Sequence, residues 1–402
     1  MNGAYWLEWL NLLGRWVHLI TGIAWIGASF YFVWLDNHLL PPKSPADVDK
    51  GVGVGGEVWS VHGGGFYHAQ KYRVAPATLP EPLHWFKWEA YTTWLSGFFM
   101  LALVYYLNAD TYLIDPTVLA LSPWQAIVIG IATLALGWLV YDALCRSPLG
   151  RDDRWLGLAL LVMVTLAAWG LSHVFSGRGA FIHYGAMLGT LMVSNVFFVI
   201  IPGQRELIKA KLAGREVDPT PGLKAKQRSV HNTYFTLPVL FTMMSNHYAM
   251  VFNHPYNWLL LVLISLAGTA IRVYFVLRHK GRAPWWPLLL SVTLLAGVAV
   301  ASAPPPAPAA VAVANPAAEF ARIVSVVELR CASCHAAQPS QPGFAAAPKG
   351  VLLDNPAHIA AQATPIYQQV LNRAMPLGNL TGMTEAERQR VLIWYTAGAR
   401  SQ

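Results

Sequence analysis

The chain has 402 residues, 55% of them hydrophobic and only 12% charged, with 17 tryptophans and a formal net charge of +8. This composition excludes a soluble domain of such length and describes helices packed in lipid. The positive excess does not indicate nucleic acid, because the Lys and Arg residues fall in loops beside apolar stretches, as membrane topology requires.

Stretches long and apolar enough to cross a bilayer lie at residues 12–35, 86–107, 123–145, 155–174, 180–201, 233–252, 256–277 and 285–302, which predicts eight transmembrane helices. The first has no small-residue cleavage site and reads as a retained span, not a signal peptide. With residues 36–85 inside, the loops of that side carry eighteen Lys and Arg, whereas the intervening outer loops carry only Arg178. This asymmetry puts the N-terminus outside, and an even number of crossings returns the C-terminus to the same side.

Ionisable residues within spans are costly and are functional candidates by default. His18 lies in the first helix, His173 ends the fourth, His183 enters the fifth and His247 is near the exit of the sixth, all in the outer third. Imidazoles at similar depth on different helices suit a bis-His b-type haem, and Arg15, on the same face as His18, could meet a propionate. Each histidine has an ordinary alternative as an interhelical hydrogen-bonding group or an interfacial residue. Cys145, alone at a helix end, is expected to be inert.

The inner side carries a different mixture. Val61-His62-Gly-Gly-Gly-Phe66-Tyr67-His68-Ala-Gln70-Lys71-Tyr72-Arg73 precedes Leu83-His84-Trp85-Phe86-Lys87-Trp88-Glu89, so aromatics alternate with imidazole, amide and cationic groups. Stacking faces, bidentate donors and a base together suit a flat, polar, anionic heterocycle. An interfacial loop with aromatic anchors is the ordinary alternative. Gln204, Arg205, His231 and Asn232 flank a later inner loop and could complete the same pocket. Candidate substrate contacts are thus His62, Phe66, Gln70, Lys71, Arg73, Gln204, Arg205 and Asn232. Arg73 or Arg205 could hold the anion bidentately, and His68, His231 or Glu89 could serve as the base.

Residues 303–318 are rich in Pro and Ala and read as a semi-rigid tether. Beyond it, Cys331-Ala-Ser-Cys334-His335 is the attachment signal for one covalent haem c, with His335 as an axial ligand. A zinc or redox Cys pair would ask for a second pair or a βαβ pattern, and the sequence has neither. Met375, before Pro376, is favoured as the sixth ligand. Met383 precedes Thr384-Glu-Ala-Glu387, a capping box, and reads as an apolar staple. Residues 319–402 therefore form a small class I cytochrome c, in which Phe320 near the start and Trp394 and Tyr395 near the end pack the terminal helices together. Haem attachment occurs outside the bacterial cytoplasm, in agreement with the charge-derived topology.

The stretches His62–Arg73, Leu83–Tyr91, Ile201–Glu206 and Arg228–Tyr234, together with the C-terminal Cys-x-x-Cys-His, resemble the membrane-bound urate hydroxylase family, the cytochrome c-linked urate oxidases of bacterial purine breakdown. The resemblance covers essentially the whole chain. It implies oxidation of urate to 5-hydroxyisourate with water supplying the hydroxyl. Electrons would leave through haem c to a terminal oxidase or soluble cytochrome. The expected architecture is an all-α bundle of about eight helices in the bacterial inner membrane (residues 1–302), with a periplasmic cytochrome. Two rivals remain: a cytochrome-linked dehydrogenase of another small donor or quinol, and a haem-linked transporter or sensor.

Overall fold

Helix α1 (Gly3–Asn37) runs along one side of a bundle and packs against α2 (Trp88–Leu101), which continues through a π-helical turn at Ala102–Tyr106. A computed structural model describes residues 3–43, 54–73, 75–76, 78–303, 315–342, 344 and 346–401. Along α1 the side chains of Leu12, Trp16, Leu19 and Ile23 point away from the protein, an apolar surface of the kind that lipid covers. Further helices follow as α3 (Pro123–Arg146), α4 (Asp153–Ser172) and α5 (Gly177–Ser194). Local chemistry sets several starts. Ser122 and Gln125 form a reciprocal capping box with Pro123 at the first helical position, and the Asp152 side chain accepts from the Arg154 and Trp155 amides.

At its inner end α5 passes through a π segment, Asn195–Ile200, into α6 (Ile201–Leu212). Pro202, which has no N–H to give the preceding turn, lies at this junction. The bundle is completed by α7 (Thr220–Ser245), α8 (Asn257–His279) and α9 (Trp286–Ala301). Its centre is α5, where Phe181, Tyr184, Leu188 and Leu191 are buried. Helix α7 crosses it closely at Gly185, where an added Cβ would come within 1.9 Å of Thr242 Oγ1. Small residues at such a crossing let backbones approach, which supplies most of the contact energy between helices in lipid.

Among the described residues five helices are long and apolar enough to cross a membrane: Trp6–Asn37, Pro123–Arg146, Asp153–Ser172, Gly177–Leu212 and Asn257–His279. Trp286–Ala301 is apolar but shorter. The stretches read as the second and sixth spans are helical too, as α2 with its π turn and the second half of α7, which contains Pro238.

The protein is mostly helical, with one two-stranded hairpin that the sequence reading did not include. Val54–His62 (β1) and Gly65–Tyr72 (β2) form an antiparallel hairpin, with His62 opposite Gly65 and only Gly63 and Gly64 between them. Both turn glycines have positive φ, +56° and +83°, as a tight two-residue hairpin turn demands. No protein atom lies within 4 Å of a Cβ built at either position, so it is the backbone conformation of the turn that calls for glycine there.

Past the tether, whose residues 304–314 lie outside the described residues, come α10 (Pro316–Arg330), α11 (Pro356–Ala361), α12 (Ala363–Leu371) and α13 (Glu385–Thr396). Ile323, Val327, Ile359, Val391 and Trp394 form their separate core. Phe320 stacks on Trp394 at 5.8 Å between ring centroids, so the terminal helices meet through the aromatics expected from the sequence. Tyr395 instead stacks on Tyr367 of α12, at 4.1 Å. This unit rests on the end of the bundle that carries the 109–115 and 253 segments. There the Asn253 side chain donates to the Arg373 carbonyl at 2.7 Å, and the helical turn Ala109–Tyr112 meets the turn Leu377–Asn379.

Candidate functional site

Three groups of polar residues are built by this fold. The first surrounds Cys331-Ala-Ser-Cys334-His335, which follows α10 directly. His335 Nδ1 donates to the Val351 carbonyl at 3.0 Å, which fixes the tautomer and leaves Nε2 free to ligate. Burial, with Cys334 beside it, pushes the Cys331 thiol up to about 12, the opposite of what a thiol-exchange pair needs. Met375 is partly buried in a loop that Arg388 pins from α13, by donating to the Met375 carbonyl at 2.9 Å and to Asn379 Oδ1 at 3.1 Å. Met383 is only 4% exposed within the apolar core, just before a complete Thr384–Glu387 capping box. Two free thiols, one imidazole with an open nitrogen and one tethered thioether are a donor set that fits haem c.

The second group lies in the inner half of the bundle. Arg228 of α7 is buried, forms an ion pair with Asp142 of α3 at 2.6 Å and faces the Tyr141 ring at 4.9 Å. Asn195, at the start of the π segment, donates to Tyr141 Oη at 2.9 Å and to Asn232 Oδ1 at 2.8 Å. Tyr141 Oη lies 2.8 Å from His231 Nδ1. His231 and Asn232 are thus joined in one network, with Arg228 neutralised by Asp142. Cys145 lies 4.0 Å from the same His231 nitrogen.

The third group is the hairpin and the segment after it. His68 Nε2 pairs with Glu57 Oε2 at 2.9 Å, and its ring stacks on Trp59 at 4.2 Å. Glu57 also accepts from the Lys43 amide and from Gln70. The Lys43 N–H, with smaller help from His68 and Gln70, holds this carboxyl below the usual glutamate range. Lys71 pairs with Asp36 at the end of α1 at 2.5 Å. His62, Phe66 and Arg73 are exposed. Between residues 75–85 and α6 lies a cleft of about 270 Å³ lined by His84, Trp85, Gln204 and Lys211. Arg205 is exposed on α6, and Glu89, in the first turn of α2, has Oε2 buried without a hydrogen-bond partner.

The residues expected to form one pocket are therefore distributed over three places. His68 is engaged within the hairpin, Gln204 borders the cleft, and His231 and Asn232 belong to the bundle network. The outer histidines are likewise separate. His18 Nδ1 lies 3.1 Å from both the Thr93 carbonyl and Ser96 Oγ, and its ring fills the groove at Gly97. His183 is fully buried, with Nδ1 donating to the Gly179 carbonyl at 2.9 Å and Nε2 3.2 Å from Tyr106 Oη. His173 Nδ1 bonds the Trp169 carbonyl, His247 is exposed, and Arg15 donates to Asn11. His183 thus has Nδ1 fixed by a backbone carbonyl and Nε2 facing the Tyr106 hydroxyl.

One buried cation escaped the sequence reading. Arg272 in α8 is 6% exposed, and its guanidinium carbon sits 3.8 Å from the centroid of Phe30. Counting Lys and Arg only in loops overlooked it, although a lone Arg inside an apolar run of that length was the available signal.

No curated protein and no solved structure matches the chain. A model of the urate oxidase N-terminal family matches residues 4–303, the whole helical bundle with its hairpin. The chain therefore belongs to the urate oxidase N-terminal family.

Proposed function

We propose that the chain is a membrane-bound urate hydroxylase of the bacterial inner membrane, with eight spans, inner loops at the hairpin end and the C-terminal unit in the periplasm. The observation that carries this reading is the joining of a urate oxidase family domain to a Cys-x-x-Cys-His unit whose Met375-bearing loop rests on the bundle. The positive-inside asymmetry supports the sidedness, since the C-terminal unit meets the bundle end that lacks the basic loops.

Cys331 and Cys334 would hold the haem covalently, with His335 and Met375 on its iron. Bound there, the group supplies one-electron transfer at a potential raised by the thioether. Urate and water give 5-hydroxyisourate, two protons and two electrons. A C–O bond forms at the ring carbon that becomes hydroxylated, a water proton goes to a protein base, and the electrons leave singly towards a terminal oxidase or soluble cytochrome.

Among the candidate bases, His68 is committed to Glu57 and His231 to Tyr141, whereas Glu89 retains an unengaged buried oxygen. Glu89 is therefore the base favoured by the geometry. Gln204 and His84 of the inner cleft offer amide and imidazole groups along a path of entry from the cytoplasm, where purine breakdown supplies urate.

The experiment is product analysis in isotopically labelled water under anaerobic conditions with an artificial acceptor. Label in 5-hydroxyisourate is expected. Unlabelled product, or oxidation that requires O₂, contradicts the reading.

A further inference from the structure

Within the bundle Arg272 is the basic residue whose charge has no evident purpose. It makes no hydrogen bond or ion pair among the described residues, and its Nε is buried without a partner. Two other cations of the bundle have a polar partner among the described residues. Arg228 is paired with Asp142 at 2.6 Å, and Arg178 at the opposite end, whose Nε is likewise buried without a partner, donates from Nη2 to the Asn246 carbonyl at 3.0 Å while facing the Tyr112 and Phe252 rings. Arg73 and Arg205, the anchors suggested by the sequence, are exposed, where water competes for every hydrogen bond they offer.

Arg272 precedes His279, the inner end of α8, by seven residues, or about 10 Å of helix. Its guanidinium carbon lies over the Phe30 ring of α1 at 3.8 Å from the centroid, and Tyr234 of α7 is within electrostatic reach. Nearer the same end, the His38 and His279 rings stand 5.0 Å apart, and His279 Nδ1 is a second buried atom without a partner. A guanidinium held flat by a ring presents its edge, and that edge carries paired donors suited to adjacent acceptors on a planar anion. An isolated buried charge is strongly unfavourable unless something neutralises it.

We propose that Arg272, backed by Phe30, anchors the planar conjugated anion that the bundle oxidises, at the inner-side junction of α1, α7 and α8. This rests on the urate reading and specifies its binding site. The urate anion presents neighbouring ring-nitrogen and carbonyl acceptors in one plane, which match the guanidinium edge. Tyr234 and the unpartnered His279 nitrogen supply further polar contacts at the same junction.

The test uses the full-length protein in detergent and in vesicles, with urate itself as the probe. Equilibrium binding to Arg272→Gln is expected to be at least about ten-fold weaker than to the wild type, as loss of a charge-assisted hydrogen-bond pair implies. Urate should raise the melting temperature of the wild type and not of this variant. Without urate, Arg272→Gln should melt no lower than the wild type, because it removes an unneutralised charge. Arg272→Lys keeps the charge and loses the planar fork, so intermediate affinity is expected, and it substitutes for the Gln variant if that does not accumulate.

Unchanged urate affinity in either variant overturns the assignment while leaving the urate reading intact. Loss of stabilisation by phosphatidylglycerol vesicles with urate binding preserved would identify a lipid phosphate as the partner and also overturns it. A wild-type protein that binds no urate overturns both the assignment and the reading on which it rests.

Discussion

Asn253 donates from its side-chain amide to the carbonyl of Arg373 at 2.7 Å, tying the loop before α8 to the chain two residues from Met375. The Asn379 turn of that loop lies against the Ala109–Tyr112 turn of the bundle, and Arg388 holds the Met375 and Asn379 groups from the other side. The Met375 loop is thereby kept against the bundle, where transfer to a haem bound there would be intramolecular. Replacing Asn253 by Ala should cost about 1 kcal/mol of docking, roughly a five-fold fall in the docking equilibrium constant. Faster amide exchange over residues 373–379, with slower urate-driven reduction and an unchanged dithionite-reduced spectrum, is the expected outcome.

Met375 and Met383 should separate cleanly. Met375→Ala is expected to abolish the thioether–iron absorption band and lower the potential while leaving the fold intact. Met383→Ala should keep the band and destabilise the C-terminal unit by about 2–5 kcal/mol, the cost of emptying a packed core site. Absorption spectra and thermal melts of the two variants check both halves.

The Asp142–Arg228 pair holds the inner network together across α3, α5 and α7. Asp142→Ala leaves Arg228 buried and uncompensated, at a cost of about 3–5 kcal/mol. Its melting temperature should therefore fall, and Asn195 and Asn232 should lose their fixed geometry. Restoring a neutral pair with Asp142→Ala and Arg228→Met together should recover much of the stability, which a double-mutant cycle measures.

The hairpin should respond to acid through Glu57. Its carboxyl is depressed in the folded chain by the Lys43 amide and then by His68 and Gln70. The associated stability is fully present above the ordinary glutamate value of 4.5 and is lost as pH falls through the lower folded value. Amide exchange over residues 54–72 should accelerate in that range, and Glu57→Gln should flatten the profile.

The most legible features in the sequence were those fixed by local chemistry. The Thr384–Glu387 capping box, the Phe320–Trp394 contact and the burial of Met383 as an apolar staple each follow from a few residues near one another in the chain or from helix ends that must meet. Five of the eight apolar stretches correspond to helices long and apolar enough to cross a membrane, because their signal is length and composition, whereas the 233–252 stretch leaves its helix after Ser245. The hairpin was missed because Gly63-Gly64 between alternating aromatics reads equally well as an interfacial loop, and pairing decides between them. His68, His231 and Gln204 share residue chemistry in the sequence, whereas in the fold His68 engages Glu57, His231 engages Tyr141 and Gln204 lines the α6 cleft. Arg272 stood out in the sequence only as a lone Arg in an apolar run, and that it forms no ion pair among the described residues is a property of the packing.

The central claim, that urate oxidised in the bundle reduces a haem c on the same chain, is tested most directly by adding urate to the purified protein in the absence of oxygen. Reduced c-type absorption should appear without any other donor, one haem per chain should be found as a pyridine haemochrome, and 5-hydroxyisourate should accumulate when an acceptor is supplied. A c-type haem that dithionite or a quinol reduces and urate does not would contradict it.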